Sequence, residues 1–181
     1  MTHFPKTSLF LGGARSGKSQ LAENLVTQSH KSPVYIASAE IRDAEMRERI
    51  DTHQARRGEN WQLIEAPLDV AGALAKNSAD QIVLFDCATL WLSNHLLAEN
   101  NIENKQAELL AAIENCAGQI VCVSNEVGMG LVPDNALGRR FRDAQGALNQ
   151  ALGAQADLVV FAAAGLPLVL KGQMPMDQEN G

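Results

Sequence analysis

Short runs of apolar residues alternate along the chain with longer stretches in which apolar residues recur every three or four positions. The short runs predict β-strands, and the longer periodic stretches predict amphipathic helices. Two runs, Gln81–Asp86 and residues 119–124, are almost continuously apolar, which is typical of strands that are covered on both faces. The alternation therefore predicts an α/β domain with a mainly parallel sheet and helices on both of its faces.

The ends of these segments give boundaries that a structure can test. The tail at 166–170 contains Pro167, which a sheet accommodates on an edge strand because proline has no backbone N–H to donate. Helices are predicted at 18–29, 41–57, 88–98, 105–116 and 135–152. Strands are predicted at 8–11, 33–38, 61–64, 81–86, 119–124, 157–162 and 166–170.

Size and charge narrow the class of protein. With 181 residues, of which 46% are hydrophobic, the chain is long enough for one domain with a substantial core. Its formal net charge of -6 argues against a protein that binds nucleic acid or an anionic membrane. No apolar run approaches the ~18–20 residues of a membrane span, and no secretory signal precedes the first predicted strand. We therefore expect a soluble cytoplasmic domain.

The three cysteines predict neither a disulfide framework nor a metal site. Cys87, Cys116 and Cys122 form no CxxC pair, and an odd number does not suit a set of disulfides. A zinc site would need more cysteine or histidine ligands at suitable spacing than the chain supplies.

One segment carries a recognisable binding chemistry. Residues 12–19, GGARSGKS, fit the pattern G-x-x-x-x-G-K-[ST] between a predicted strand and a predicted helix. Glycines allow a tight turn whose N–H groups point at phosphate oxygens, and the following helix adds the positive end of its dipole. Lys18 would reach the β- and γ-phosphates, and the Ser19 hydroxyl would ligate Mg²⁺. The predicted nucleoside triphosphate site comprises Gly12, Gly13, Ala14, Arg15, Ser16, Gly17, Lys18 and Ser19.

Asp86 is a second candidate, because it ends a buried strand. A carboxylate at that place holds Mg²⁺ or its water in many phosphate-loop proteins. The alternative is that Asp86 caps the helix that follows, since aspartate is a favoured N-cap residue. The sequence leaves both roles open.

His53 lies four residues from Arg49 and four from Arg57, so the three side chains share one face of the predicted helix, with Glu45 one turn earlier. Two flanking cations should lower the pKa of His53 and leave a neutral, nucleophilic ring, while also attracting a phosphate group. The alternative is a solvated, charged helix face. A second histidine, His95, is interpreted as a packing or surface residue of its helix.

The segment 124–130 follows a buried strand, and such loops line the ligand crevice of a parallel sheet. Asn125 and Glu126 are candidates to bind polar groups of a substrate, and Gly128 and Gly130 would allow close backbone approach. An ordinary turn is the alternative. The nearby arginines, whose role as phosphate ligands or intersubunit partners stays open, are Arg139, Arg140 and Arg142.

These segments together resemble the bifunctional adenosylcobinamide kinase / adenosylcobinamide-phosphate guanylyltransferase family over nearly the whole chain. The phosphate-loop motif is generic, whereas NEVGMG-VP and the spacing RI-x-x-H-x-x-x-R are specific to that family. The matching segments are GGARSGKS (12–19), YIAS (35–38), RIDTHQARRGENW (49–61), DCATLWLSN (86–94), SNEVGMGLVPDN (124–135), GRRFRDAQGALNQ (138–150) and GLPLVLKG (165–172).

The resemblance implies a P-loop NTPase fold of RecA-like architecture with an antiparallel edge strand. It also implies two reactions, in which adenosylcobinamide is phosphorylated by ATP or GTP and the product then receives GMP from GTP, with Mg²⁺ as cofactor. In the second reaction the family forms a guanylyl-histidine, which maps onto His53. Members are trimers, and their guanine nucleotide contacts map onto Ala37, Ser38, Ala39, Gln54, Ala55, Arg56, Arg57 and Glu65.

Two other functions fit parts of the sequence. A plain small-molecule kinase would carry the same phosphate loop, with residues 138–142 as an arginine-rich lid and the His53 row as a solvated face. A nucleotide-switched binding module would also bind a triphosphate, but the chain has no NKxD guanine-reading motif. A covalent guanylyl-histidine would separate the proposed enzyme from both.

Overall fold

The computed structural model describes residues 4–39 and 60–175. Within these ranges the chain forms seven strands and five helices. The strands are β1 Thr7–Gly12, β2 Ser32–Ala37, β3 Gln62–Glu65, β4 Gln81–Asp86, β5 Gln119–Asn125, β6 Leu158–Ala163 and β7 Leu166–Lys171. The helices are α1 Lys18–Gln28, α2 Val70–Leu74, α3 Ala88–Leu97, α4 Ile102–Asn115 and α5 Ala136–Gln155.

The strands form one sheet in the order β3-β2-β4-β5-β1-β6-β7. Neighbouring strands run parallel except for β6 and β7, which pair antiparallel at one edge. The predicted α/β class, the mainly parallel sheet and the edge strand that contains Pro167 are therefore confirmed. Each predicted strand boundary agrees with the structure to within one residue.

The helices depart further from prediction. Helix α4 begins at Ile102 rather than 105, because the side chain of Asn101 accepts a hydrogen bond of 2.8 Å from the Asn104 N–H and caps the helix earlier. Helix α2 was not predicted. It has only five residues and depends on a cap in which Asp69 accepts from the Gly72 N–H. The predicted helix 41–57 lies outside the described residues.

Two apolar layers cover the sheet, one on each face. Because side chains alternate along a strand, Val121 and Val123 of β5 pack toward the layer that contains Leu25 of α1. Ile120 and Cys122 pack toward the opposite layer, to which α2, α3, α4 and α5 contribute. Among the described helices, α1 therefore covers one face of the sheet and the other four cover the second.

The structure describes the state of the cysteines and the length and polarity of the helices. All three cysteines are free and buried, which confirms that they form no disulfide framework. Burial raises the pKa of Cys122 to about 12, so the thiol stays protonated at neutral pH. Across residues 4–39 and 60–175, none of the helices combines the length and the apolar character that crossing a membrane requires.

Candidate nucleotide-binding site

The loop between β1 and α1 has the tight conformation that the glycine pattern predicts. Gly17 has a φ of 92°, in the left-handed region that favours glycine. A Cβ at this position would lie 2.9 Å from the Cα of Gly165, which is in the β6–β7 turn. That turn also holds the loop from outside, because the Gly165 N–H donates to the Ser16 carbonyl at 2.9 Å. The loop is thus shaped by its own glycine and braced by the edge hairpin.

The start of α1 is arranged to receive an anion. Gly17 caps the helix without a side-chain hydrogen bond, and no acidic residue occupies the first turn, so the first N–H groups stay available to phosphate oxygens. The Ser16 hydroxyl is buried and forms no hydrogen bond with any described residue. An orphaned buried donor costs free energy, which a phosphate oxygen would recover.

Lys18 lies folded into the loop. Its side chain is 8% exposed, and Nζ donates to the Gly13 carbonyl at 3.0 Å. Burial lowers the pKa of Lys18, an effect that the neighbouring acidic groups Cys87 and Asp86 partly offset. The ammonium is thus weakly held by one carbonyl and can exchange it for phosphate oxygens.

Asp86 faces the phosphate loop. In β4, Ile82 and Leu84 pack in the α1 layer, so the period of two places Asp86 on the α1 face as well. The negative charge of Asp86 raises the pKa of Lys18, against the larger effect of burial. The alternative role as an N-cap is wrong, because Cys87 is the N-cap of α3.

In the order of the strands, Asn125 lies between Asp86 and the phosphate loop. It ends β5, the strand between β4 and β1, and pairs in register with Gly12. The alternation that puts Val123 in the α1 layer puts Asn125 on the same face. Its side-chain amide forms no hydrogen bond with any residue of the described ranges. Asp86 and Asn125 therefore lie on the face that α1 covers, at the carboxyl edge where the phosphate loop carries Lys18.

The loop that follows β5 is braced from within. Oε1 of Glu126 accepts a hydrogen bond of 2.5 Å from the Gly128 N–H, so one carboxylate oxygen is used by its own loop. Arg142 donates to the Gly128 carbonyl at 2.8 Å, and Arg139 donates to the carbonyls of Pro133 and Asp134. Gly130 has open space around it, as close backbone approach would require. Arg139 and Arg142 thus have a third role that the sequence did not reveal, which is to hold this loop.

Four of the residues that the resemblance gives to the guanine nucleotide are described, and they lie along the same edge: Ala37, Ser38, Ala39 and Glu65. Ser38 follows β2 and is fully buried, and its hydroxyl donates to the Cys87 carbonyl at 2.7 Å and accepts from the Cys87 N–H at 2.9 Å. Ala37 ends β2 and Ala39 is half-buried beyond it. Glu65 ends β3, is exposed, and lines an open groove of about 320 Å³. Four inter-strand spacings of about 4.8 Å separate β3 from β1, or about 19 Å.

Several predicted site residues cannot be placed in this geometry. His53, Gln54, Ala55, Arg56 and Arg57 lie outside the described residues, as do Arg49 and Glu45 of the same predicted row.

Comparisons with known proteins agree with one another on the family. The family model of cobinamide kinase / cobinamide phosphate guanyltransferase matches residues 8–170. The bifunctional adenosylcobalamin biosynthesis protein CobP of Pseudomonas aeruginosa is 44% identical over 91% of this chain and 97% of its own. The bifunctional adenosylcobalamin biosynthesis protein CobU of Escherichia coli is 36% identical over 90% of this chain and 98% of its own.

The chain belongs to the cobinamide kinase / cobinamide phosphate guanyltransferase family. A solved ATPase of a bacterial type III secretion system is similar in fold, with a TM-score of 0.53 over 91% of this chain and 56% of that chain. Its 11% identity supports the fold alone, which is that of the P-loop NTPases with one antiparallel edge strand. The resemblance stated from the sequence is confirmed.

The structure also shows a buried polar cluster of this family member that sequence patterns did not predict. Thr89 of α3, Ser124 of β5, and Gln145 and Asn149 of α5 are each less than a tenth exposed and hydrogen-bond to one another behind Asn125. The signal in the sequence was the pair Gln145 and Asn149, which are spaced by one helical turn on a face that also carries Leu148 and Leu152. Polar residues on an apolar helix face mark a buried network.

His95 is a packing residue rather than a surface one. It is 3% exposed, its Nε2 lies 3.2 Å from the Leu68 carbonyl, and its Nδ1 lies 2.9 Å from the Asn100 amide nitrogen. With the ring neutral, Nε2 donates to the carbonyl and Nδ1 accepts from the amide. Burial lowers the pKa of His95, in keeping with that neutral form. Of the two interpretations that the sequence left open for His95, packing is correct and a surface position is not.

Proposed function

We propose that the protein phosphorylates the hydroxyl of adenosylcobinamide with ATP or GTP and then transfers GMP from GTP to the product, which gives adenosylcobinamide-GDP and pyrophosphate. The observation that supports the proposal is the order of the polar groups along the carboxyl edge of the sheet, in a chain that belongs to the cobinamide kinase / cobinamide phosphate guanyltransferase family. Glu65, the end of β2, Asp86, Asn125 and the phosphate loop follow one another from β3 to β1. A nucleotide lying along this edge would present its phosphates to the loop and its base to Glu65.

In the first reaction the acceptor hydroxyl attacks the γ-phosphorus, and the bond from that phosphorus to the β–γ bridging oxygen breaks. The chain's contribution is to position the phosphates and to stabilise negative charge on them. Lys18 would leave the Gly13 carbonyl and bind β- and γ-phosphate oxygens, while the N–H groups at the start of α1 bind the rest. The buried Ser16 hydroxyl would find its missing partner there.

Ser19 and Asp86 fit the ligand preferences of Mg²⁺. Both offer oxygen atoms, and both lie at the start of α1 or on the face that α1 covers. No group of three or more potential acidic, histidine or cysteine ligands is found in residues 4–39 and 60–175, which suits a cation that takes most ligands from substrate phosphates and water. When bound, the cation would neutralise charge on the phosphate oxygens and orient them.

In the second reaction a ring nitrogen of His53 attacks the α-phosphorus of GTP, and the bond to the α–β bridging oxygen breaks to release pyrophosphate. A phosphate oxygen of phosphorylated adenosylcobinamide then attacks the guanylyl phosphorus and frees the histidine. Splitting one displacement into two is the benefit of a covalent intermediate. Glu65 would accept hydrogen bonds from guanine N1–H and N2–H₂, and Gln54, Ala55, Arg56 and Arg57 would line the nucleotide.

The decisive test is to incubate the protein with Mg²⁺ and GTP labelled at the α-phosphate, and then to measure protein-bound label. We expect label that survives alkali and is lost in acid, as a phosphorus–nitrogen bond requires. His53→Ala should abolish it. Intact γ-phosphoryl transfer to adenosylcobinamide with no protein-bound label would instead favour the plain kinase.

A matched control is available in His30, which is exposed at the end of α1. His30→Ala should retain the full amount of label, because it removes a histidine from the surface without touching the site. Equal labelling of the His53→Ala variant and the unmodified protein would contradict the histidine assignment.

We also propose that the protein forms a homo-oligomer, a trimer by resemblance, that works in the cytoplasm and binds the large corrinoid substrate at the carboxyl edge. Exposed apolar residues support both contacts. Leu166 of β7 is 70% exposed, and Leu131 of the loop after β5 is 97% exposed. Apolar surface of this kind is typical of association or ligand contact. Light scattering coupled to size-exclusion chromatography measures the oligomeric state, and a monomer would contradict this part of the proposal.

A further inference from the structure

The buried polar cluster behind Asn125 forms a closed ring that begins and ends on the backbone of that residue. The Asn125 N–H donates to Thr89 Oγ1 at 2.8 Å, and Asn149 Nδ2 donates to the Asn125 carbonyl at 3.1 Å. The Ser124 hydroxyl donates to Asn149 Oδ1 at 2.7 Å. Since that hydrogen is used, the 3.4 Å contact between Thr89 Oγ1 and Ser124 Oγ must be donated by Thr89. The four hydrogen bonds therefore all run in the same direction around the ring, from the Asn125 N–H to the Asn125 carbonyl.

Such a ring is costly unless each member is satisfied, because its atoms are removed from water. Thr89 is 7% exposed, Ser124 0% and Asn149 8%. The ring ties α3 and α5 to the end of β5, which lies beside the phosphate-loop strand. On the other side, the Glu126 N–H donates to the Gly12 carbonyl at 3.1 Å. The peptide units before and after Asn125 are thus fixed by three separate elements.

What remains free at this position is the side chain. The strand alternation places Asn125 on the α1 face, as it does Asp86 of the neighbouring strand, and the Asn125 amide forms no hydrogen bond within the described residues. The Asn125 amide offers a donor and an acceptor, and its backbone is held rigidly. It is therefore positioned to bind a ligand.

We propose that Thr89 is a positioning residue for phosphoryl transfer, which acts by holding the backbone of Asn125 so that its amide meets the γ-phosphoryl group or the acceptor hydroxyl. This rests on the proposed kinase reaction. Thr89 is buried and touches no substrate itself. Its effect on the reaction therefore passes through Asn125.

The test is a steady-state comparison of variants with adenosylcobinamide and with each of ATP and GTP. Thr89→Val keeps the shape of the side chain and removes the acceptor of the Asn125 N–H, so kcat should fall roughly ten- to hundredfold, the cost of misplacing a positioned group. The Kd for a non-hydrolysable GTP analogue should change by less than about twofold, because the phosphate loop supplies the ground-state binding. Thr89→Ser restores the hydroxyl and should recover most of kcat.

A double-mutant cycle with Asn125→Ala separates positioning from general damage. If Thr89 acts through Asn125, Thr89→Val should cost little once Asn125 is Ala. Fully additive losses would overturn the proposal, as would a Thr89→Val variant with unchanged kcat. Ser8→Ala is the matched control, because Ser8 is a fully buried hydroxyl of β1 with no partner in the described chain, and its removal should leave kcat unchanged.

Two provisions keep the outcome clear. Should Thr89→Val fail to fold, Ser124→Ala breaks the ring at its middle and should lower kcat by a smaller factor, while an unchanged kcat would overturn the proposal. If the unmodified protein does not phosphorylate adenosylcobinamide, it is the proposed function that fails. If it does and the variants match it, only the role of Thr89 fails.

Discussion

The amino and carboxyl edges of the sheet use the same kinds of side chain in opposite ways. At the amino edge, Lys6 Nζ donates to three carbonyls that follow the last residue of α4, those of Cys116, Ala117 and Gly118, at 2.6, 2.8 and 2.6 Å. At the carboxyl edge, Lys18 donates to one carbonyl at 3.0 Å, although it is more deeply buried. One lysine has completed its bonding within the protein and the other has not.

The contrast extends beyond the lysines. At the amino edge Asp157 accepts from the N–H groups of Lys6 and Thr7, each at 3.0 Å, and Lys171 donates to two carbonyls at the end of α5. At the carboxyl edge the buried Ser16 hydroxyl has no hydrogen bond with the described residues. Incomplete bonding is not confined to the carboxyl edge, because the Ser8 hydroxyl and the Gln119 side-chain oxygen also lack partners among the described residues. What distinguishes the carboxyl edge is the combination of an unpartnered hydroxyl with a lysine held by a single carbonyl.

The largest effect expected from this contrast is on catalysis. Lys18→Met keeps the length of the side chain and removes its charge, so kcat for adenosylcobinamide phosphorylation should fall by roughly 10²- to 10³-fold, as when one stabilising group is removed from a transition state. Lys6→Met, the same change at the amino edge, should leave kcat unaltered. It should lower the free energy of unfolding by about 1–2 kcal/mol through lost hydrogen bonds. Equal losses of kcat in both variants would contradict the proposed difference between the lysines of the two edges.

A second, smaller effect concerns the shape of the phosphate loop. Gly17→Ala places a Cβ against the Gly165 Cα at a left-handed φ, so we expect it to lower the free energy of unfolding by about 1–3 kcal/mol and to abolish stabilisation by GTP. Gly13→Ala is the matched change, because open space surrounds that position, and it should cost less than about 0.5 kcal/mol. Thermal unfolding without nucleotide measures the stability of the two variants, and repeating it with GTP measures the stabilisation by the ligand. A Gly17→Ala variant as stable as Gly13→Ala would disprove the bracing by the β6–β7 turn.

The sequence predicted the parts of this molecule that depend on local patterns. Short apolar runs were sufficient to locate the strands, and the spacing of glycines around Lys18 was sufficient to locate the phosphate loop. Asp86 was narrowed to two roles, and the structure removed the capping role because Cys87 occupies that position. The ring around Asn125 was missed because its members are separated by up to 60 positions in the chain, and no local pattern brings α3 and α5 to the end of β5.

Helix ends were the weakest part of the prediction for the same reason. Helix α5 continues to Gln155 rather than 152, where Gln155 donates to the Leu110 carbonyl of α4 at 3.0 Å. That contact depends on how two helices lie against each other, so a single-sequence period cannot contain it. By contrast the end of β4 was predicted correctly, because a charged residue follows a continuous apolar run.

The smallest expected effect concerns His95, a buried polar group near the carboxyl edge that has completed its hydrogen bonds within the protein. His95 is bonded to Leu68 and Asn100, so it should behave as a structural group and leave catalysis alone. Burial is the largest cause of its lowered pKa, and Lys105 lowers it further, while the Leu68 carbonyl and Glu108 act in the opposite direction.

The sign of the resulting pH dependence follows from proton counting. Since the pKa of His95 is lower in the folded protein than its ordinary 6.5, the unfolded chain binds the proton more readily. The stabilising contribution is complete above pH about 6.5 and is lost as the pH falls from there toward the folded pKa. Urea unfolding between pH 8 and 5 should therefore show a steeper loss of stability in the unmodified protein than in His95→Gln, with kcat at pH 8 similar in both. Parallel pH profiles would show that His95 does not titrate with folding, and a large loss of kcat would place it in the site after all.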